Sequence, residues 1–282
     1  MTNEQAMQYA QAAAEQAIAE LPKQHSMRFT LTDSIPSATE SGIGGAPYVP
    51  AGAEIPLDSN GNPLRFLMQI NCRDVQGIDC FPQEGIIQFW IAADDCWGMC
   101  DRENKGFRVI YYDTVTENTA APPFTAFSEE EVEFFPLKGT FGVTFTAETE
   151  NVSTHSLAYH QAFCRHFNAL SGEQIEDPAD LVMKLKLPWE IMDAVIWKDD
   201  AVYGHKIGGS SDFCQDDPRR TEAQQKTYDF QLLQLSSDFG RANGVNFRRI
   251  MFGDAGICHF FINSEKLKNR DFSDILYYCD CC

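Results

Sequence analysis

Three blocks of this sequence occur twice in the same order, and this internal repeat constrains the fold more than any other feature. "GIGGAPYVP", "LRFLMQINCRD" and "PQEGIIQFWIAADD" in the first half correspond to "KIGGSSDFC", "YDFQLLQLSSD" and "FGDAGICHFFINSE" in the second. The separation between matching residues changes only from 164 for Gly44 and Gly208 to 171 for Ile86 and Ile257. One short apolar match arises easily by chance, but three in order predict a duplicated unit of a Gly-rich turn and two strands.

The composition of the repeated blocks is typical of β-strands. Runs such as "GIIQFWIAADD" and "FRVIYYDTV" alternate with Gly, Pro, Asp and Asn turns. Helical patterns lie outside them: a capping box of Thr2 and Gln5 opens one helix, and Gly172 closes another. The sequence predicts an α+β fold, internally duplicated, of mostly antiparallel β units with a few flanking helices. We expect a docking helix over residues 1–24 and a single domain over 25–282, with pseudo-repeats at about 40–115 and 203–278.

A glutamine lies inside an apolar strand of each repeat, as Gln69 and Gln234. A buried amide loses free energy unless its donors and acceptor are hydrogen-bonded. Because the same residue recurs in both halves, we predict a structural role, with the amide bonded to the main chain of the adjacent Gly-rich turn.

The net charge narrows the classes of partner. Acidic residues number 41 and basic residues 22, which gives a formal net charge of −19. Such a surface repels phosphate backbones and anionic headgroups, so we expect no nucleic acid and no membrane partner, whereas a basic protein partner suits it. An acidic surface that serves only solubility is the alternative. The chain opens without a signal-peptide pattern and has no apolar run of ~18 to 20 residues, so we expect a cytoplasmic protein with reduced thiols.

Common catalytic signatures are absent from the sequence. It contains no phosphate-binding G-x-x-x-x-G-K-[ST] loop, no G-x-S-x-G elbow and no H-E-x-x-H. We therefore expect no cofactor, and a binding protein rather than an enzyme. Two cysteine groups leave a zinc site open, since thiolates at short spacing can close a tetrahedral site. They are Cys96 and Cys100 in "CWGMC", and Cys279, Cys281 and Cys282 at the end of the chain. Inert packing is the alternative for both groups.

The stretch "HKIGGSSDFCQDDPRR", residues 205–220, combines a dense set of polar residues with a glycine pair, a cysteine and a proline. Its glycine pair has a counterpart in Gly44 and Gly45, but its ionisable residues have none. An imidazole titrates near neutrality, carboxylates bind cations, and a guanidinium clamps anions. We therefore predict candidate ligand-binding residues in this stretch and in the later "FGDAGICHFF": His205, Asp216, Asp217, Arg219, Asp254 and His259. The alternative is turn architecture, since Asp-Asp-Pro-Arg forms a good turn. No residue is assigned as catalytic, and no metal ligand is assigned.

The blocks "HKIGG…QDDPR", "LLQLSSD", "FGDAGICHFFI" and "FSDILYYCDC", with "GGAPYVP", "PLRFLMQIN" and "GIIQFWI", resemble the YwqG-like family of bacterial proteins over roughly residues 40 to 282. The resemblance implies an α+β fold with an internal duplication and no established reaction. The family usually continues H-K-x-x-G-Y-P, whereas Ser210 and Ser211 stand at that corner here. Some members are encoded near secreted-toxin systems, a setting that resembles that of immunity proteins.

We expect a cytosolic binding module of unassigned molecular function that interacts with another protein, with immunity-type binding as one form of that role. The alternative is a small-molecule-binding or metal-dependent hydrolytic enzyme centred on His205, Asp217 and Asp254. Convergence of these three side chains on a solvent-accessible pocket would favour the enzyme.

Overall fold

A computed structural model describes residues 1–116, 129–195, 202–242 and 244–281. The strands of the described residues are β1 Gln24–Thr32, β2 Gly42–Ile43, β3 Arg65–Asn71, β4 Ile86–Ile91, β5 Phe107–Tyr112, β6 Phe141–Glu150, β7 His205–Gly208, β8 Phe230–Ser236, β9 Asp238–Ala242, β10 Val245–Ile250, β11 Ile257–Ile262 and β12 Ile275–Asp280. The helices are α1 Asn3–Glu20, α2 Glu129–Phe134, α3 Leu157–Ser171, α4 Asp180–Met183, α5 Glu190–Val195, α6 Glu222–Thr227 and α7 Ser264–Lys268.

Ten of the strands form one sheet in the order β12-β11-β8-β7-β1-β6-β2-β3-β4-β5, and β9 and β10 form a separate hairpin. The paired strands are antiparallel. The order is symmetrical about the β1–β6 pair. We call β2, β3, β4 and β5 the first half, which continues from β6, and β7, β8, β11 and β12 the second half, which continues from β1.

The two ends of the sheet approach each other across the apolar core. Rings of the two halves make contact there, with Phe89 at 4.9 Å from Phe260 and Phe107 at 4.8 Å from Tyr277. A twisted sheet of about ten strands curls, and the shared apolar face favours that closure. The result is a nearly closed, barrel-like sheet.

The predicted α+β class is wrong. The structure is mostly antiparallel sheet, and the helices make up 24% of it and only flank the sheet. The reason is that the repeated blocks contribute strands to one continuous sheet, while the longer helical patterns lie outside them. No helix among the described residues is long and apolar enough to cross a membrane.

Four helices, α1, α3, α4 and α5, form an apolar cluster of their own. The buried face of α1 consists of alanines, which let the helix approach α3 closely. The predicted capping box is confirmed, since the Gln5 amide donates to Thr2 Oγ1 at 3.2 Å and the Thr2 amide to Gln5 Oε1 at 3.0 Å. Gly172, with φ 77°, ends α3 as predicted.

The two Gly-rich turns have the same backbone conformation. Gly44 and Gly45 have φ of 65° and 74°, and Gly208 and Gly209 have φ of 67° and 70°. A Cβ on Gly209 would lie 2.2 Å from Glu150 Oε1, so a larger residue would clash there as well as being strained. The boundaries of the pseudo-repeats stay a prediction.

The predicted role of the two strand glutamines is confirmed. Each side chain donates from Nε2 to two carbonyl groups, at 2.8 to 3.0 Å, and accepts an amide N–H on Oε1 at 2.9 Å. The partners are Ala38, Glu40 and Tyr48 for Gln69, and the residues 164 positions later, Val202, Gly204 and Asp212, for Gln234. These bonds fix the segments on both sides of each Gly-rich turn to the sheet.

Candidate functional site

A row of polar side chains lies on the face of the second half that is turned away from the apolar core. Lys206, Gln234 and His259 each neighbour core residues along their own strand, and they are register partners across β7, β8 and β11. Because side chains alternate along a strand, these three share the opposite face. All three are nevertheless buried. Residues 209–220, which we call the roof loop, are bonded to this face.

A buried ion pair occupies one end of the row. Lys206 Nζ lies 2.6 Å from Glu150 Oε1, and both side chains are almost wholly inaccessible. Glu150 Oε1 also accepts the Ser210 amide at 2.6 Å, and Oε2 accepts the Ser26 hydroxyl at 3.3 Å. Burial lowers the pKa of Lys206, and the Glu150 carboxylate opposes that shift. The added hydrogen bonds matter because a buried pair without them does not recover its desolvation cost.

His259 lies in the same row, and no side chain of the described residues is hydrogen-bonded to either of its ring nitrogens. Its side chain is fully buried between the rings of Phe213 at 4.7 Å and Phe261 at 5.5 Å. Burial lowers the pKa of His259 well below its ordinary value, and Arg219 and Lys206 lower it further. The imidazole is therefore neutral near pH 7.

Asp280, at the end of β12, is also buried, and only one of its oxygens is satisfied. Oδ2 accepts the Gln215 amide at 2.8 Å, while Oδ1 has no partner. Burial raises the pKa of this carboxyl group, and the charge of Asp212 contributes in the same direction. We call Glu150, Lys206, Asp212, His259 and Asp280 the charged layer.

The roof loop is bonded to the charged layer and its surroundings along its length. Besides the Ser210 and Asp212 amides already described, Gly209 donates its amide to the His25 carbonyl at 2.9 Å. Gln215 donates from Nε2 to the Cys281 carbonyl at 2.7 Å, and Ser210 Oγ accepts the Ser153 amide at 2.7 Å. These contacts hold the loop in one conformation over the sheet.

Asp217 and Arg219, two of the predicted site residues, bond to each other. Arg219 Nε and Nη2 donate to the two Asp217 oxygens at 2.9 and 2.8 Å, and the Arg219 amide donates to Oδ1 at 2.8 Å. Arg219 Nη1 also donates to the Tyr228 carbonyl, and the guanidinium lies 4.0 Å from the centre of the Phe261 ring. Both side chains thus stabilise the turn.

His205 is held at the start of β7. Its Nδ1 accepts the Ser236 amide at 3.2 Å, and its ring stacks on Phe29 at 5.3 Å. Burial lowers the pKa of His205 to about 4. The ring is therefore neutral, with its proton on Nε2.

Asp216 and Asp254 are exposed, on neighbouring loops. Asp216 lies 3.7 Å from Arg220, with both side chains mostly in solvent. The Cys214 thiol contacts the Ala255 carbonyl at 3.8 Å, which places the roof loop next to the turn that contains Asp254. Of the predicted site residues, Arg219 and His259 therefore contact the same ring, that of Phe261. Asp216 and Asp254 lie on two loops that contact each other elsewhere.

The hydrolytic alternative requires His205, Asp217 and Asp254 to act together, and the contacts of the described residues do not join them. Among the described residues, no hydrogen bond or ion pair joins any two of His205, Asp217 and Asp254. Three surface clefts, of about 390, 580 and 430 Å³, are lined by other residues. That alternative and the candidate ligand-binding set stay predictions.

One group of side chains in the described part of the chain has the spacing of metal ligands: Asp94, Asp95 and Cys96. Asp94 Oδ1 is occupied by the amides of Cys96 at 3.1 Å and Gly98 at 2.8 Å. Cys96 forms a disulfide with Cys100, so the expectation of reduced thiols fails for this pair. Of the tail cysteines, Cys282 lies outside the described residues.

Four members of the charged layer, Glu150, Lys206, Asp212 and Asp280, were not among the predicted site residues. Lys206 was detectable, because it stands inside an apolar repeat block where the first half has Gly42. Glu150 gave no such signal, since "TFTAETE" alternates as an exposed strand does.

A comparison with models of protein families identifies the family of this chain. The model of a family described as a domain of unknown function, DUF1963, matches residues 41–281. The matched range contains both halves of the sheet, the roof loop and the charged layer, and it leaves out α1 and β1. A search among curated proteins gives no match.

Proposed function

We propose that this chain, which belongs to the DUF1963 family, is a binding module for a basic protein. The observation that carries the proposal is the net negative charge of the chain, which internal ion pairs leave unchanged. Each internal ion pair, such as Lys206 with Glu150 or Arg219 with Asp217, removes one base and one acid. The formal excess of 19 acids therefore remains outside such pairs. A surface of one sign accelerates encounter with a partner of the opposite sign and rejects others.

The roof loop is the part of this surface best suited to recognition. It is fixed before binding by its bonds to the charged layer, so little conformational entropy would be lost on docking. Asp216 is 78% exposed on the loop, and Asp254 is exposed on the adjoining turn. The YwqG-like resemblance supports the same role, with inhibition of a basic toxin by an immunity-type protein as its specific form.

The test begins with the partner. Affinity capture from the native host at low salt, followed by mass spectrometry, should enrich a basic protein, which is then purified for kinetic measurements. We expect its association rate to fall steeply as salt rises, and the double variant Asp216→Lys/Asp254→Lys to lower that rate about tenfold at low salt.

Glu15→Lys, on the exposed side of α1 and outside the roof loop, changes the charge by two units, half the change of the double variant, and should change the rate less than about twofold. An association rate that is independent of salt would contradict the proposal. The proposal would also fail if two acid-to-lysine substitutions on the exposed side of α1 lowered the association rate as much as the roof-loop double variant does. It would fail as well if no basic protein were found among the captured proteins.

A further inference from the structure

The loop between β4 and β5 joins the two ends of the sheet. The Tyr277 hydroxyl donates to the Trp97 carbonyl at 2.7 Å, and the Cys279 amide contacts Met99 Sδ at 3.0 Å. Tyr277 and Cys279 belong to β12, one edge strand, while the loop leads into β5, the other edge strand. These contacts therefore cross the gap that the nearly closed sheet leaves.

The backbone of this loop is strained where it makes those contacts. Trp97 has φ of 52° and Gly98 has φ of 84°, in the left-handed region. For a bulky residue such as Trp this conformation is unfavourable and persists only when its surroundings hold it. The Trp97 indole N–H donates to the Phe134 carbonyl at 3.1 Å, and its ring lies edge-on to Phe252 at 5.7 Å.

A disulfide between Cys96 and Cys100 encloses these residues. Cys100 is exposed and Cys96 is half-buried, so a dissolved thiol can reach the bond. Because the bond closes a loop of only four residues' separation, it restricts the unfolded chain little. The main consequence of the bond is therefore local: it constrains the backbone of Trp97, Gly98 and Met99.

We propose that Cys96 and Cys100 form a reversible thiol–disulfide site that fastens the loop across the gap when oxidised and releases it when reduced. The co-reactant is a small thiol such as glutathione. Its thiolate attacks Cys100 Sγ, the S–S bond breaks, and Cys96 leaves and takes up a proton. The Asp95 carboxylate, 3.2 Å from Cys96 Sγ, accepts a hydrogen bond from the released thiol. A second thiolate then displaces Cys100, so two small thiols are oxidised to one disulfide as the protein disulfide is reduced to two thiols.

The test uses the whole wild-type chain in glutathione buffers of stepwise ratio. Alkylation with mass spectrometry should find two fewer free thiols in oxidising buffer than the ten cysteines present, with Cys96 and Cys100 as the missing pair. Arg102 and Lys105 lie in the same loop, so limited trypsin digestion reports its release. We expect cleavage after these two residues to become about tenfold faster on reduction.

Two variants separate this site from a general effect of reductant. Cys96→Ser/Cys100→Ser should be cleaved at the faster rate in every buffer, and Cys80→Ser, at a half-buried thiol elsewhere, should keep the wild-type redox response. Three results would overturn the proposal: ten free thiols in oxidising buffer, equal cleavage in both states, or a stoichiometric zinc ion bound to the reduced protein through Asp94, Asp95 and Cys96. Because the thiol count and the digestion are made on wild type, the test does not depend on the variants folding.

Discussion

In the first half of the sheet, Gln88 donates to the Tyr48 carbonyl at 2.7 Å and accepts the Trp90 indole N–H at 3.2 Å. In the second half, His259 stands where the repeat places Gln88, and in the described part of the chain neither of its ring nitrogens has a side-chain partner. The same contrast holds at other positions of this face. Strand register and the repeat spacing pair three further positions of the two halves: Gly42 with Lys206, Tyr48 with Asp212, and Tyr112 with Asp280.

The two halves therefore share their framework and differ in the chemistry placed on it. Glycines with positive φ and a bonded glutamine occur in both halves, so they are what the turn and strand require. The acids, the lysine and the histidine of this layer come from the second half and from the end of β6, where the fold by itself does not require them. Buried charges stabilise a fold weakly at best and often mark a functional demand. The buried ionisable groups packed against the second half are therefore the better candidates for a functional role.

The largest effect should come from removing one partner of the buried ion pair. Glu150→Ala leaves the Lys206 ammonium buried without a counter-ion and the Ser210 amide without its acceptor. We expect a loss of about 3 to 5 kcal/mol in the free energy of unfolding, measured by urea denaturation. The double variant Glu150→Leu/Lys206→Met should recover most of it. If Glu150→Ala costs less than about 1 kcal/mol, the layer is not the tightly coupled unit described here.

The next effect concerns acid. His205 and His259 have folded-state pKa values below their ordinary value, to about 4 for His205. The unfolded chain therefore binds more protons at acid pH, so stability is full above about pH 6.5 and is lost as the pH falls toward 4, by up to about 3 kcal/mol for His205. His259→Gln introduces the residue that the first half has at the equivalent position, Gln88. We expect the free energy of unfolding of this variant to fall less steeply as the pH is lowered. The measurement is denaturation of both proteins at several pH values. If the free energy of unfolding of His259→Gln falls with pH as steeply as that of the wild type, burial of His259 is not the cause of the decline.

The smallest effect tests the equivalence of the halves. Gln69→Leu and Gln234→Leu each remove one acceptor and two donor contacts to the main chain, and Gln69→Leu also removes the acceptor of the Gln88 amide group at 3.1 Å. We expect each to lower the free energy of unfolding by about 1 to 3 kcal/mol, and the two losses to agree within about 1 kcal/mol. Urea denaturation of both variants measures this directly. A large difference would show that the two glutamines are not equivalent.

The sequence predicted the features that are local or repeated. The Gly-rich turns, the bonding of Gln69 and Gln234, and the ends of two helices all follow from short patterns. The pairing of β1 with β6 and β7 did not follow, because it joins segments more than a hundred residues apart and no local pattern encodes it. Without that pairing the ten strands could not be recognised as one sheet, and the α+β prediction failed for this reason.

The candidate site was predicted only in part for a related reason. Asp217 and Arg219 were identified by their chemistry, but their bonds to each other could not be known before the turn was built. Glu150 lies 56 residues before Lys206 in the chain, and its neighbour Glu148 remains largely exposed. What buries Glu150 is the roof loop, a tertiary contact that the alternation of β6 does not record.

The position of β1 has a consequence for synthesis on the ribosome. This strand emerges first, yet it stands between β6 and β7, and β7 is made about 180 residues after it. Once residue 150 has emerged, the first half can form with β6 and β1, which leaves one edge of β1 without hydrogen-bond partners until β7 appears. An unpaired edge invites pairing with other chains, so a nascent chain stalled in this interval is the form most exposed to misassembly. The first half and both central strands lie in one contiguous segment, residues 24–150, whereas no contiguous fragment holds β1 with the second half without also including the first half.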